Sequence, residues 1–250
     1  MARSVRSAHP AVKPRHNEPP MRFASAALVF ASVTLAGAAP TLPPEVPTHQ
    51  RARLDAVAQA ASVSTRVDTE PFAGRPEVFE FLLNHPEFAT RVTRVLRVAR
   101  YRIWRDSEGL WLDDGWGTVG RFDIVYAAGR TRVMHARGVF SKRLLPDIHG
   151  EAVVMIEYDV RSGPGGRPLI AATVTGFVKL DSGFLAAATK LLTPVAQRKA
   201  DHEARLLMRV FSKVSRAADE RPATLCQDLA REPDVAPGEL AEFCSLVNRR

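Results

Sequence analysis

The chain has 250 residues, of which 46% are apolar and 25% charged, and its formal net charge is +8 at pH 7. These proportions exclude a disordered chain and suit one globular domain of ordinary size with tails. Residues 1–38 contain five basic residues and one acid, so the remainder carries only +4. This mild excess suits an anionic membrane surface. It is too weak to indicate nucleic acid, which calls for clustered basic residues with exposed aromatics.

The start of the chain has the pattern of a secretory signal. Residues 1–20 are rich in Arg, Pro and His without an apolar period, so we interpret them as disordered or as preceding the true start. Met21 and Arg22 form a short positive region, residues 26–35 an apolar run, and residues 36–38 an Ala-x-Ala cleavage site. We therefore predict a signal peptide at 21–38 and an exported, periplasmic protein. The alternative is an uncleaved anchor, although the apolar run is short for a bilayer.

The next elements are short. Residues 39–61 begin with four prolines and continue as a weakly helical stretch, which we interpret as a linker. Residues 63–67 alternate and predict a first, short strand. Two short helices joined at His85-Pro86 are then predicted, because proline suits a first helical turn and the apolar residues recur at helical spacing: Val78, Phe79, Leu82, Leu83, Phe88, Val92, Val95 and Leu96.

From residue 98 to residue 180 the apolar period drops to two, which predicts about six strands in an antiparallel meander. Asp113 and Asp114 are expected to be solvated at a turn, and residues 142–150 are expected to form a loop. One face carries apolar and aromatic bulk. The other carries His135, Arg137, Glu157 and Asp159, which we interpret as a wet outer face. The alternative is a buried His/Glu pair that acts in acid–base catalysis.

A long helix is predicted from residue 182 to about residue 218 by its broad apolar stripe. Lys199 and His202 fall inside this stripe, with Glu203 at its edge, and polar residues in such a place need a reason. One interpretation is an i,i+4 pair between Lys199 and Glu203 at the open rim of the sheet. The other is that these residues meet the polar end of a ligand.

The two cysteines, Cys226 and Cys244, lie in two short helical segments at residues 223–230 and 238–247. Two antiparallel helices would bring them together, so we predict a disulfide, with two free thiols as the alternative. Their spacing is not that of a metal or redox motif, and the chain has no HxH, HExxH or GxSxG motif. The sequence therefore predicts neither a metal site nor a cofactor.

The order of these elements, over residues 63–218, resembles the helix-grip fold of the START-like (SRPBCC) superfamily. The segment Pro76-Glu-Val-Phe-Glu-Phe-Leu-Leu-Asn-His-Pro-Glu-Phe88 and the long helix carry the resemblance. It implies an α+β fold with a curved antiparallel sheet of six or seven strands, two short helices and one long C-terminal helix across it. The START-like domain would span 62–218, followed by a helical tail at 219–250. Its members include lipid-transfer proteins, coenzyme Q-binding proteins and polyketide cyclases, and no catalytic residue carries over by position.

These expectations together favour an exported binding or transfer protein for an apolar ligand, such as a lipid or an isoprenoid, with a membrane surface as a further partner. Lys199 and His202 are the expected polar contacts. The expected pocket wall is Phe122, Met134, Tyr158, Leu191 and Leu206. Two alternatives stay open: a cyclase- or hydrolase-type enzyme that uses His135, Glu157 or His202, and a non-catalytic adaptor of the envelope. The sequence does not determine the oligomeric state.

Overall fold

A computed structural model describes residues 42–143, 145–181 and 193–249. The expected signal peptide, the first part of the long helix and Leu191 lie outside the described residues. Among the helices that are described, none has both the length and the apolar character needed to span a bilayer.

The protein is α+β, as predicted, with a curved antiparallel sheet and a long C-terminal helix packed against it. The strand order is β1-β8-β7-β6-β5-β4-β3, and β2 pairs with β8. The strands are β1 (Val63–Asp68), β2 (Phe72–Ala73), β3 (Arg102–Asp106), β4 (Gly109–Asp113), β5 (Thr118–Ala128), β6 (Thr131–Lys142), β7 (Leu145–Ser162) and β8 (Pro168–Leu180). The described helices are α1 (Thr48–Gln59), α2 (Pro76–Asn84), α3 (Pro86–Val95), α4 (Thr193–Glu220), α5 (Pro222–Leu229) and α6 (Pro237–Asn248).

The sheet differs from the sequence prediction in two places. It has eight strands rather than six or seven, because the two-residue β2 adds to the edge of β8. The expected loop at 142–150 is largely strand, since β7 begins at Leu145 and pairs with β6 through Gly138–Gly150 and Val139–His149. The polar residues Asp147 and His149 interrupt the apolar pattern by which a strand is predicted from sequence. The strand forms nevertheless, because the backbone of β6 supplies its hydrogen-bond partners.

One side of the sheet, here called the inner face, carries the main core. Helices α2, α3 and α4 pack on it, and Phe79 of α2 is fully buried at its centre. The ring of Phe79 meets Tyr158 and Phe211 edge to face, with centroids 5.0 and 4.9 Å apart. Each such side chain contributes about 1.5–3 kcal/mol by leaving water. These contacts position α4 against the sheet.

The opposite side, here called the outer face, is covered by the segment that the sequence analysis treats as a linker. Leu54 and Val57 of α1 are buried there, together with Leu42 and Val46 before it. They pack on the outer-face side chains of the sheet, which are Val133, Val153, Met155 and Phe177. The outer face is therefore covered around His135, whereas Arg137 and Asp159 are exposed, as expected of a wet face. Residues 42–61 belong to the folded domain.

The tail is stapled as predicted. Cys226 of α5 and Cys244 of α6 form a disulfide, with Cα atoms 5.9 Å apart. Leu225 and Phe243 from the same helices are buried in the inner core, where the Phe243 ring lies 5.0 Å from that of Phe88. The tail thus shares the core of the domain and is not a separate appendage.

Candidate functional site

The candidate site is the part of the inner face that is formed by β5, β6 and β7. Strand register places six apolar side chains on this face: Phe122, Ile124, Met134, Ala136, Ala152 and Val154. Phe122 is buried and the other five are only half-buried, whereas Ile156 and Tyr158, further along β7, are fully buried under the helices. The inner face therefore continues as a half-buried apolar surface at the margin of the filled core, against which Met134 and Val154 pack.

Two contacts hold the first described turns of α4 across this surface. At one side the Thr65 hydroxyl of β1 donates to the Asp201 carboxylate of α4. At the other side Lys199 Nζ lies 3.4 Å from Asp114 Oδ2, in the turn between β4 and β5. Since β1 and β4 are far apart in the strand order, the helix reaches from one part of the curved sheet to another. The half-buried residues of β5, β6 and β7 lie on the strands in between.

A polar cluster, here called the polar bridge, connects α4 to the β4–β5 side of the sheet. It consists of Tyr101, Asp114, Lys199 and Glu203. Lys199 Nζ lies 3.1 Å from Glu203 Oε1, one helical turn away, and the Tyr101 hydroxyl donates to Glu203 over 3.0 Å. Thus the i,i+4 pair weighed in the sequence analysis forms, but as part of a larger network. Two carboxylates face one ammonium group.

Asp114 is buried, with 6% of its surface exposed, contrary to the expected solvated turn. Its carboxylate accepts the backbone N–H groups of Trp116 and Thr118 at 2.7 and 2.9 Å. Burial opposes ionisation of Asp114, but the hydrogen bonds from Thr118 and Trp116 and the charge of Lys199 outweigh it, so the pKa of Asp114 is lowered. The carboxylate is therefore an ionised anchor for Lys199.

Burial and the neighbouring Glu203 carboxylate raise the pKa of Tyr101 well above its usual range. The phenol thus stays protonated at neutral pH and remains a hydrogen-bond donor. The Glu203 carboxylate accepts Tyr101 at one oxygen and Lys199 at the other, so both of its oxygens have partners within the polar bridge.

The structure places the expected site residues unevenly. Phe122 and Met134 lie on the inner face, and Leu206 packs against the inner core from α4. Tyr158 instead lies under α2, where its hydroxyl donates to Glu80. His202 is exposed on α4. Sequence reasoning missed Tyr101 and Asp114 as polar groups of the site, because neither short strands nor an Asp-Gly turn indicates which helix will pack beside them.

The outer face holds a second polar cluster around His135, which has 3% of its surface exposed. His135 Nε2 lies 3.1 Å from Glu151 Oε2, which also lies 3.3 Å from Arg137 Nε and 3.8 Å from Arg53 Nε of α1. Burial lowers the pKa of His135, against the opposing effect of Glu151. Glu157, the partner considered in the acid–base alternative, lies elsewhere, opposite Thr131 and Thr173.

These positions argue against one form of the acid–base alternative, a pair of His135 and Glu157 that lines the inner face. His135 and Glu157 share the outer face of the sheet, and α1 covers His135 there, so neither lines the inner face. His135 instead joins α1 to the sheet through the Glu151 carboxylate. Within the described parts of the chain, no group of three His, Cys, Asp or Glu side chains is placed to hold a metal ion.

Two surface clefts are also present. One, of about 370 Å³, is lined by Arg91, Arg94, Arg102, Trp104 and Asp234 between α3 and β3. The other, of about 260 Å³, lies at the opposite end of the sheet and is lined by Arg130, Thr131, Glu157, Tyr158, Asp159, Ala171 and Thr173. Neither cleft lies between α4 and the half-buried inner surface.

Comparisons with known proteins give little beyond a distant similarity in structure. No protein-family model matches the chain, and no curated protein matches its sequence. A conserved protein from Geobacillus kaustophilus has 10% identity and a TM-score of 0.38, over 62% of this chain and 95% of the other. A norcoclaurine synthase from Thalictrum flavum has 12% identity and a TM-score of 0.32, over 60% and 96%. Similarities at this level carry no conclusion about function.

Proposed function

We propose that this protein is exported and binds an apolar small molecule, such as a lipid or an isoprenoid, between the inner face of the sheet and α4. The observation that carries the proposal is the apolar, half-buried surface of β5, β6 and β7, which lies between the two points where α4 is tied to the sheet, Thr65 of β1 and Asp114 of the β4–β5 turn. Polar groups at the helix and apolar groups on the sheet are the two parts that an amphiphilic ligand requires.

The driving force is removal of apolar surface from water. A ligand that loses about 300 Å² of apolar surface gains roughly 7 kcal/mol, at about 25 cal/mol per Å². Part of this gain is offset by the loss of translational and rotational freedom. A net gain of about 7 kcal/mol would correspond to a dissociation constant of roughly 10 μM, so after this offset the burial of about 300 Å² supports weaker binding, and tighter binding requires a larger buried area or polar contacts.

The polar bridge determines which end group the site prefers. Lys199 contacts the polar end of the ligand, and His202 meets the portion that reaches solvent. Because Asp114 and Glu203 outnumber Lys199, a hydrogen-bond donor such as a hydroxyl is favoured over a carboxylate, whose charge these acids repel. The ligand is therefore expected to be an alcohol or a similar neutral amphiphile.

Export is consistent with two features. Residues 21–38 have the pattern of a cleavable signal, and the Cys226–Cys244 disulfide suits an oxidising compartment. In such a compartment an apolar molecule that moves between membranes needs a carrier, which agrees with the expectation that follows from the resemblance to START-like proteins.

The test is to fill the proposed site from the sheet. Ala136→Phe adds an aromatic ring on the half-buried inner face, whereas Ala171→Phe makes the same change on the outer face of β8. Binding is measured from the fluorescence of N-phenyl-1-naphthylamine, a neutral apolar dye. We expect Ala136→Phe to weaken dye binding about tenfold or more and Ala171→Phe to leave it unchanged. Equal binding by both variants, each folded by circular dichroism, would overturn the proposal.

A further inference from the structure

We propose that the protein docks on anionic phospholipid surfaces through the tip patch, a surface formed by Arg100, Trp116 and Lys142. This inference rests on the proposed function, because a carrier of an apolar molecule has to exchange it with a membrane. Trp116 is the main apolar part of this patch. It is 53% exposed, and among the large hydrophobic residues in the described part of the chain it alone is exposed.

The backbone of this turn is held in place. Trp116 and Thr118 donate their N–H groups to Asp114, and Gly115 donates to Asp113 at 2.8 Å. Gly117, with φ +115°, accepts the Ser141 N–H at 2.9 Å, and a Cβ there would lie 2.4 Å from the Ser141 carbonyl oxygen. The β4–β5 turn is therefore packed against the end of β6, and the exposure of Trp116 does not come from a loose loop.

Two cations flank the Trp116 ring. Arg100 Cζ lies 5.6 Å and Lys142 Nζ 5.9 Å from the ring centroid. Both side chains are exposed, and neither forms an ion pair with the described carboxylates. The acids nearby are occupied: Asp113 pairs with Arg102 at 3.5 Å, and Asp147 accepts the Ser141 hydroxyl at 2.7 Å.

This chemistry fits a phospholipid headgroup region. An indole ring places its apolar body at the acyl boundary and its N–H toward water, which is why tryptophan concentrates at membrane interfaces. Lysine and arginine beside it attract the phosphates of anionic lipids, with about fivefold in affinity for each cation near the surface. The exposed side chains of Arg100, Trp116 and Lys142 supply both parts in one place.

The position of the tip patch matches the proposed exchange. Trp116 follows Asp114 by two residues, and Asp114 is the partner of Lys199 in the polar bridge. A membrane bound at the tip patch therefore lies beside the polar end of the ligand site. The β5–β6 and β7–β8 turns, by contrast, lie at the other end of the sheet.

A single-stranded nucleic acid is the competing occupant, and the structure disfavours it. Binding of a strand needs a track of cations with several open aromatic faces for successive bases. The other two tryptophans do not supply them, because Trp104 and Trp111 stack on each other with centroids 6.2 Å apart and are half-buried. One exposed tryptophan at a turn suits insertion into a surface better than a strand of bases.

The experiment is sedimentation of the protein with vesicles of equal parts phosphatidylglycerol and phosphatidylcholine, and with phosphatidylcholine alone. The variants are Trp116→Ala and the double variant Arg100→Gln with Lys142→Gln. The matched control is Arg161→Gln with Arg167→Gln, which removes the same charge from exposed positions at the β7–β8 end. We expect anionic vesicles to bind the wild type, with a loss of about tenfold for Trp116→Ala and about twenty-fold for the tip double variant.

The control double variant is expected to bind nearly as the wild type does. Equal losses in the two double variants would mean non-specific attraction and would overturn the proposal. No binding to anionic vesicles would also overturn it, as would Trp116-dependent binding of a single-stranded oligonucleotide without vesicle binding. Dye binding by the same variants is measured in parallel: dye binding that persists while vesicle binding is absent refutes the docking surface alone and leaves the ligand site intact.

Discussion

At the scale of single residues, His135 gives the stability of this protein a pH dependence. Burial under α1 lowers its pKa below the ordinary value of about 6.5. The unfolded chain therefore binds a proton on His135 at a pH where the folded chain does not. The contribution of His135 to stability is complete above about pH 6.5 and is lost as the pH falls toward its folded pKa.

We predict that His135→Gln removes this part of the pH dependence, because glutamine keeps a donor for Glu151 and does not titrate. The measurement is urea unfolding of both proteins from neutral pH down to about pH 5. The wild type should lose stability more steeply than the variant on acidification. Hydrogen bonds from His135 and Arg137 lower the pKa of Glu151, against the effect of burial. Titration of Glu151 therefore changes stability only below the pH range of this measurement. Identical slopes would contradict the account.

Asp114 shows the limit of reading residues from a sequence. An Asp-Asp-Gly turn predicts exposure, yet the turn folds back so that Asp114 accepts two backbone N–H groups and meets Lys199 of α4. That burial depends on a helix more than 80 positions away in the chain, which no local pattern encodes. The pairing of Lys199 with Glu203, by contrast, follows from helical spacing alone and was open to prediction.

At the scale of elements, the disulfide between α5 and α6 holds the tail against α2 and α3. The two cysteines are separated by 18 residues in the sequence. A disulfide that closes a loop of this size stabilises the folded protein by about 3 kcal/mol, because it restricts the unfolded chain. We predict that a reducing agent lowers the urea midpoint of the wild type to that of Cys226→Ala with Cys244→Ala. The double variant itself should not respond to the reducing agent. A wild-type midpoint that is unmoved by complete reduction would refute this role.

Elements with a strong period were predictable and those without one were not. The alternation of the sheet strands and the paired helices at His85-Pro86 are visible because each buries a regular apolar face. Helix α1 falls in the expected linker because the prolines precede it and its helical pattern is weak. In the structure only Leu54 and Val57 of this helix are buried. Its partners Leu42 and Val46 stand between prolines, so the cover on the outer face appears only in the fold.

In the molecule as a whole, the two faces of the sheet differ in how completely they are covered. The outer face is closed by α1 and the His135 cluster, which makes it part of the scaffold. The inner face is filled under α2 and the second half of α4 and only half-buried along β5, β6 and β7. Ligand binding is expected where the core is incomplete, since a filled region has no space to give. The tip patch lies at the same end as the polar bridge, so the proposed docking surface and the proposed ligand site share one end of the sheet.

Whether the protein carries an apolar ligand is tested first by native mass spectrometry, with organic extraction, of the protein purified from the exported fraction of its own host. We expect a mature chain that starts near residue 39. We also expect a co-purifying apolar molecule at about one per chain, with a hydroxyl or similar neutral end group. A mature protein that carries no extractable molecule, and that also fails to take up N-phenyl-1-naphthylamine, would contradict the central claim.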